Sequence, residues 1–69
     1  MRNSLKVERA RKNITQAQLA KLVGVSRQTI NAVELGKFNL STILALKMAK
    51  VFECSVQELF ELEEDDWKK

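Results

Sequence analysis

The chain has 69 residues, of which 45% are hydrophobic and 30% are charged, and it contains one cysteine and no histidine. This length predicts a single domain over residues 1–69 with one small core, and a single cysteine excludes an internal disulfide. Without histidine the chain lacks the commonest acid-base catalyst and a frequent zinc ligand, so we expect no enzyme activity, no metal and no cofactor. The charged amino terminus and the lack of a long apolar run argue against a signal peptide or a membrane span, and we expect a cytoplasmic protein.

The charges are divided unevenly along the chain. Residues 1–50 carry ten lysines and arginines against two glutamates, a net charge of +8. Residues 51–69 carry seven acidic residues against two lysines, a net charge of −5. This division predicts a basic face for a polyanion and an acidic tail, from about residue 61, that is turned away from it. For any single lysine, solvation of the surface is the simpler interpretation.

Apolar residues recur at intervals of three and four positions, which predicts an all-α chain of five helices. The first helix is predicted from Ser4 to Lys12. Three residues of this helix are predicted to be partly turned toward the core: Leu5, Val7 and Ala10. Thr15 begins the second helix as the first residue of a capping box with Gln18, and Gly24 ends it. The predicted inner face of the second helix comprises Ala20, Val23 and one of Ala17 or Leu19.

Two serines start the next two helices. Ser26 is predicted to cap the third helix, over about residues 26–35, which turns Ile30 and Val33 inward and ends at Gly36. A loop is predicted over residues 37–40. Ser41 caps the fourth helix, whose broad apolar face is predicted to form the floor of the core. That face comprises Ile43, Leu44, Leu46, Met48, Val51 and Phe52.

The last part of the chain is predicted to contain a short helix and an acidic tail. Ser55 and Glu58 form a second capping box, which opens a fifth helix carrying Val56, Leu59 and Phe60. The alternation in "LFELE", residues 59–63, allows short terminal strands that pair a few residues with the amino terminus. The rest of the tail is predicted to be partly loose.

Neither the tail nor the cysteine is predicted to be a catalytic site. The consecutive carboxylates at 63–66 lack the rigid inward geometry of a catalytic site, and Cys54 is interpreted as a buried structural thiol.

The connection over residues 24–26, between the second and third helices, has the length and chemistry of a helix-turn-helix. Because the apolar side of the third helix faces the core, its side chains at Arg27, Gln28 and Asn31 point outward. Arginine bonds bidentately to guanine, and glutamine or asparagine to adenine, in the major groove of DNA. Thr15 and Gln16 start the second helix, where free backbone N–H groups favour phosphate. The pattern therefore predicts a DNA-reading third helix.

Two segments, "ITQAQLAKLVGVSRQTINAVELGK" and "LALKMAKVFECSVQELF", closely resemble the phage repressor and Cro-like helix-turn-helix family. The resemblance covers roughly Leu5 to Phe60. It implies a compact five-helix bundle of the lambda repressor type, with the third helix as the recognition helix. It implies base contacts by Arg27, Gln28 and Asn31. It implies DNA backbone contacts by Thr15, Gln16, Ser26, Thr29, Lys37 and Asn39.

Two further implications of the resemblance concern the scaffold. Arg9 on the first helix and Glu34 near the end of the third are expected to form a structural ion pair, the alternative being two separate surface charges. Where relatives commonly have glycine after the fourth helix, this chain has Glu53. A strained turn is expected there if Glu53 adopts a positive φ.

We therefore expect a sequence-specific transcriptional regulator, a repressor that binds operator half-sites in double-stranded DNA. The alternative is a protein-interaction module, such as an antitoxin or adapter, that keeps the bundle and uses its surface on another protein. Such a module would expose apolar residues on the third helix, whereas this chain places Arg27, Gln28 and Asn31 there. No membrane partner and no small-molecule ligand are expected.

A homodimer is predicted, because one recognition helix reads only a few base pairs and regulators of this type bind two half-sites. Its interface is predicted on the fifth helix and its flanks. The predicted interface residues are Val56, Leu59, Phe60, Leu62 and, less directly, Trp67, which could equally cover the edge of the core. In the competing interpretation Val56, Leu59 and Phe60 are used up by the core of the monomer, which leaves dimerisation to DNA.

Overall fold

The computed structural model describes residues 1–37 and 39–68. Within them the chain forms five α-helices and one pair of short strands, which confirms the predicted helical bundle. The elements are β1 (Arg2–Asn3), α1 (Leu5–Lys12), α2 (Gln16–Val23), α3 (Arg27–Glu34), α4 (Thr42–Phe52), α5 (Val56–Leu59), β2 (Phe60–Glu61) and a 3₁₀ helix (Glu64–Trp67). The predicted loop over residues 37–40 includes Phe38, and the predicted domain includes Lys69; both lie outside the described residues.

Hydroxyl caps start four of the five helices. The side-chain oxygens of Thr15, Ser26, Ser41 and Ser55 each accept a hydrogen bond from the backbone N–H three residues later. Thr15 and Ser55 also take part in complete capping boxes, as predicted. These bonds satisfy N–H groups that a helix leaves without a partner, so each helix begins at the residue that the sequence indicated. No helix in the described part of the chain has the length and apolar character needed to cross a membrane.

The core is formed by one stripe of each helix. Leu5, Leu19, Ile30 and Met48 are completely buried, and Leu59 is almost so. On α2 the inward residue is Leu19 rather than Ala17. On α4 the buried stripe comprises Leu44, Ala45, Met48, Ala49 and Phe52.

Four residues predicted to face the core are exposed instead. Val7 and Ala10 lie on the outer side of α1, because the inner stripe of that helix runs through Leu5 and Arg9. Ile43 and Leu46 are exposed on α4, because the buried stripe at steps of one and four residues leaves them to either side. Apolar character alone therefore did not fix the inward side of either helix.

The terminal strands are present, and the tail is more ordered than predicted. β1 and β2 pair antiparallel, with Arg2 opposite Glu61 and Asn3 opposite Phe60. Beyond β2 the acidic tail forms the 3₁₀ helix, and its carboxylates contact the amino group of Met1, at 2.9 Å for Glu63 and 3.2 Å for Asp66. The prediction of a loose tail is therefore wrong for these residues.

The last helix supplies less free apolar surface than the predicted dimer interface required. Leu59 and Phe60 are 2% and 8% exposed and belong to the core of the monomer, so they offer little surface to a partner. Val56 is half-buried against the same core. Leu62 and Trp67 are exposed, at 59% and 76%. The burial of Leu59 and Phe60 favours the competing interpretation, in which the core of the monomer uses these residues, and the interface itself stays a prediction.

Glu53 ends α4 in the left-handed conformation, with φ of 54°. A side chain with a Cβ is strained in this region, whereas glycine adopts it freely. The carboxylate of Glu53 gains little in return, because the one cation that pairs with it among the described residues, the ammonium of Lys12, lies 3.8 Å away on the surface. The strain expected from the sequence is therefore present in the fold.

Glu53→Gly is expected to raise the free energy of unfolding by about 0.5–1 kcal/mol, because it removes the left-handed strain. Glu53→Ala is the matched control, since it removes the same carboxylate but keeps the Cβ. Urea unfolding of both variants measures the difference. Equal stability of the glycine and alanine variants would show that the backbone conformation costs nothing.

Candidate nucleic-acid interface

The turn between α2 and α3 is short and tightly hydrogen-bonded. Gly24 adopts φ of 78° and ends α2, and the backbone N–H groups of Gly24 and Val25 both donate to the carbonyl of Ala20, at 2.8 and 3.0 Å. Val25 packs against the core and Ser26 begins the next helix. The connection is short and every residue of it is held by a hydrogen bond or by packing, so it fixes the angle between the two helices.

α3 has one buried and one polar exposed side. Ile30 and Val33 are buried, which turns the opposite side of the helix to solvent. Arg27, Gln28 and Asn31 are exposed there, as the sequence predicts. In the first turn, the Ser26 hydroxyl accepts from the backbone N–H of Thr29 at 3.1 Å, and the two side-chain hydroxyls lie 3.0 Å apart.

An ion pair joins α1 to the last residue of α3. The guanidinium of Arg9 donates to Glu34 through two nitrogens, Nε at 2.6 Å and Nη2 at 3.1 Å, and its Nη1 donates to the carbonyl of Ile14 at 3.1 Å. The side chains of Arg9 and Glu34 are 15% and 8% exposed, so water contributes little to the solvation of either charge. Each charge therefore depends on its protein partners.

The environment of Glu34 favours its ionised form. Burial by itself raises the pKa of this carboxyl, but hydrogen bonds from Arg9 and Gln16, with the charges of Arg9 and Lys6, outweigh it and hold the pKa below the ordinary value. The hydrogen bond to Glu34 likewise raises the pKa of Arg9. Both groups therefore stay charged at neutral pH.

A side-chain amide connects this ion pair to the exposed face of α3. Gln16 Nε2 donates to Glu34 Oε1 at 3.1 Å and to Asn31 Oδ1 at 3.2 Å. Both hydrogens of the amide are thereby used inside the protein. Gln16, predicted as a phosphate contact, lies where it orients Asn31. Sequence reasoning missed this link, because 15 residues separate the two side chains.

The remaining predicted residues lie in two grooves and one loop. Thr15, Gln16 and Arg27 line a groove of about 570 Å³ where the start of α2 meets the start of α3. Asn39 lines a separate groove of about 260 Å³ beside the α2–α3 turn. Lys37 is exposed in the loop after α3. The structure thus brings Thr15 and Gln16 next to Arg27 and places Asn39 elsewhere.

Lys47, which sequence reasoning missed, lies at the groove that holds Asn39. Its Nζ donates to the carbonyl of Val23 at 3.4 Å, where α2 ends. A cation at this end of a helix is favoured by the helix dipole. The sequence signal that could have identified Lys47 is a basic residue in the middle of an apolar helix.

Cys54 is half-buried, and burial raises the pKa of its thiol, in agreement with a structural role.

Known proteins are similar to this chain over most of its length. The family model described as "Helix-turn-helix" matches residues 5–59. An uncharacterised HTH-type transcriptional regulator of Methanocaldococcus jannaschii is 50% identical over 66 residues, which is 96% of this chain and 100% of that protein. The uncharacterised HTH-type transcriptional regulator YgzD of Bacillus subtilis is 42% identical over 66 residues, again 96% of this chain and 100% of that protein.

A solved structure is similar as well. The crystal structure of the restriction-modification controller protein C.AhdI from Aeromonas hydrophila matches with a TM-score of 0.73 and 36% sequence identity. The match covers 81% of this chain and 85% of that protein. The fold expected from the resemblance is therefore confirmed.

Arg9→Met is expected to lower the free energy of unfolding by more than about 1 kcal/mol, because it leaves the Glu34 carboxylate buried without its main partner. Arg11→Met is the control: its side chain is 72% exposed and, within the described part of the chain, pairs only with Glu8 on the same helix, so the change should stay within about 0.5 kcal/mol. Urea unfolding of both variants tests the difference. An Arg9 variant as stable as the Arg11 variant would mean that the pair contributes nothing.

The lowered pKa of Glu34 predicts a pH dependence of stability. Because the native pKa lies below the unfolded value of 4.5, the contribution is complete above that value and is lost as the pH falls through the native pKa. Unfolding free energies measured between about pH 7 and 3 should therefore fall more steeply in the wild type than in Glu34→Gln, which cannot titrate. Parallel curves would contradict the shift.

Proposed function

The chain belongs to the helix-turn-helix family, and from this premise we propose that it is a sequence-specific DNA-binding transcriptional regulator that acts as a repressor in the cytoplasm. The observation that carries the proposal is the exposed side of α3, where Arg27, Gln28 and Asn31 lie opposite a completely buried apolar side. A helix anchored in this way can present its polar side chains to the major groove without moving. The names of the similar regulators and of the controller protein C.AhdI support the same function.

In this proposal the first turn and the middle of α3 read the bases. Arg27 bonds bidentately to a guanine, and Gln28 and Asn31 bond to adenines. Asn31 reads with its amide nitrogen, because its Oδ1 accepts from Gln16. Gln16 therefore acts through Asn31, and its bond to Glu34 fixes both amides relative to the scaffold.

The other predicted residues hold the DNA backbone. Thr15 stands at the start of α2, where the first backbone N–H groups have no partner within the helix and favour phosphate. Of the Ser26 and Thr29 hydroxyls, one donates to the other, and the second keeps its proton for a phosphate oxygen. Lys37 and Asn39 extend this contact beyond the end of α3. Such contacts give affinity and orientation, and base contacts give specificity.

Repression follows from occupancy alone. A protein bound across a promoter excludes other proteins from it, whereas activation needs a second surface directed at the transcription machinery. A reporter gene placed downstream of the bound sequence tests the direction: expression should fall when the protein is produced, and a rise would contradict repression.

We further propose a homodimer that uses the outer side of α4 together with α5. Leu46, 57% exposed, stands between two grooves: one of about 220 Å³ lined by Leu40, Val56 and Phe60, the other lined by Lys50, Glu53 and Glu58. An apolar ridge between two grooves can fit the same surface of a second copy around a twofold axis. The second groove carries both signs of charge, which two copies can pair reciprocally. In this proposal Leu46 takes the place of Leu59 and Phe60 beside Val56, which was already predicted at the interface, with Leu62 and Trp67 at its edge.

Selection of bound duplexes from a random DNA pool tests the proposed function directly. The expected result is a short sequence present twice as an inverted repeat, with half-site centres about one helical turn apart. Recovery of no preferred sequence would contradict sequence-specific binding. A preferred sequence without a repeat would contradict the dimer and leave the base readers in place.

Arg27→Ala and Gln28→Ala are each expected to weaken binding to the selected duplex by about 1–3 kcal/mol and to leave binding to a scrambled duplex nearly unchanged. Lys37→Ala, the control, should weaken both duplexes equally and reduce the slope of log K against log salt by about 0.9. Gel-shift titrations at several salt concentrations give both quantities. Base-reader variants that keep wild-type discrimination would show that α3 does not read the sequence.

The free protein is expected to sediment as a dimer at micromolar concentration. Leu46→Glu should convert it to a monomer, because the new charge would be buried at the contact without a partner. Ile43→Glu is the matched control, since Ile43 is exposed on the same helix but does not line either groove beside Leu46. A wild-type monomer, or equal effects of both variants, would contradict this interface.

A further inference from the structure

The carboxyl end of α3 is in contact with the first strand of the chain. Asn3 Nδ2 donates to the carbonyl oxygen of Val33 at 2.8 Å, across 30 residues of sequence. The same carbonyl accepts from the backbone N–H of Gly36 at 2.9 Å. Asn3 Oδ1 accepts from the N–H of Leu5 at 3.3 Å, so a single half-buried side chain joins the beginning of α1 to the end of α3.

The segment that carries Asn3 is itself held firmly. β1 pairs with β2, and the N–H of Ser4 donates to the carbonyl of Leu59 at 2.9 Å. Leu5, the next residue, is completely buried. Close packing extends to the turn after α3, because a Cβ added at Gly36 would lie 3.0 Å from the carbonyl oxygen of Met1. These contacts therefore fix the position of the backbone that carries Asn3.

Three side chains from three elements thus hold the second half of α3. Arg9 reaches Glu34 from α1, Gln16 reaches Asn31 and Glu34 from α2, and Asn3 reaches the backbone of Val33 from β1. Arg9 and Gln16 bind side chains, which can change rotamer while the helix shifts. Asn3 binds a main-chain atom, so it constrains the helix itself.

We propose that Asn3 is a positioning residue for DNA recognition, which fixes the tilt and axial position of α3 through the carbonyl of Val33. The inference rests on the proposed function, in which Arg27 and Gln28 at the other end of the helix read bases. Bidentate base contacts tolerate only small displacements of the donor groups, whereas phosphate contacts adapt to them. Loss of the Asn3 contact should therefore reduce sequence discrimination and spare general affinity.

Two pairs of variants separate this role from a general loss of stability. Asn3→Ala removes both side-chain bonds, and Asn3→Asp keeps the acceptor for Leu5 but cannot donate to Val33 when ionised. Ser4→Ala and Ser4→Asp are the matched controls. The Ser4 hydroxyl also makes one hydrogen bond to a backbone carbonyl, that of Glu58, but among the described residues it makes no hydrogen bond to α3. The aspartate pair matches the added charge at neighbouring positions.

Amide hydrogen exchange tests the contact without DNA. In both Asn3 variants the N–H groups of Leu35, Gly36 and Lys37 should exchange roughly threefold to tenfold faster relative to that of Met48, the factor expected for one hydrogen bond. In both Ser4 variants the ratio should stay at the wild-type value. Equal acceleration in the Asn3 and Ser4 variants, or none in either, would overturn the proposal.

Binding to the duplex that the wild type selects from a random pool, against a scrambled duplex of equal length, tests the consequence. The Asn3 variants should lose roughly threefold to tenfold in the affinity ratio at an unchanged salt slope. The Ser4 variants should keep both. Faster exchange with an unchanged ratio would overturn the positioning role. If the wild type itself shows no preference, the proposed function fails and the positioning role with it, and that failure is recognised because it precedes any substitution.

Discussion

The largely shielded carboxylate of Glu34 is the constraint on which the arrangement of the first three helices depends. An ionised group that is 8% exposed must obtain from protein donors what water would otherwise supply. Arg9 provides two hydrogen bonds and Gln16 one, and these donors come from α1 and α2. Gln16 also donates to Asn31. The same amide therefore stabilises the charge of Glu34 and orients the exposed side chain of Asn31 on α3.

Local chemistry made most of the fold predictable. The caps at Thr15, Ser26, Ser41 and Ser55 depend on bonds between residues three apart, so they are visible in the sequence before any tertiary contact exists. The left-handed end of α4 was expected from the resemblance instead, because relatives commonly have glycine where this chain has Glu53. The inward sides of α1 and α4 were predicted less well, because two or three apolar stripes were available and only the packing of the whole bundle selects one.

The candidate site also has features that the sequence predicts and features that it does not. The exposure of Arg27, Gln28 and Asn31 could be predicted, since the buried positions of one short helix determine its opposite side. The bonds that connect Gln16 with Asn31 and Asn3 with Val33 could not, because they join residues 15 and 30 apart and have no periodicity. Polar residues that stabilise one another across the fold resemble ordinary surface residues until their partners are known.

The strand pair has a kinetic consequence. Arg2 and Glu61 are 59 residues apart, so nearly the whole chain must be ordered before β1 and β2 can meet. Closing so large a loop gains nothing until both ends are in place, and contacts of this kind form after the helices and their turns. Interactions that are absent from the folding transition state act on the unfolding rate. The two short strands and their side chains therefore affect the unfolding rate of the bundle more than its folding rate.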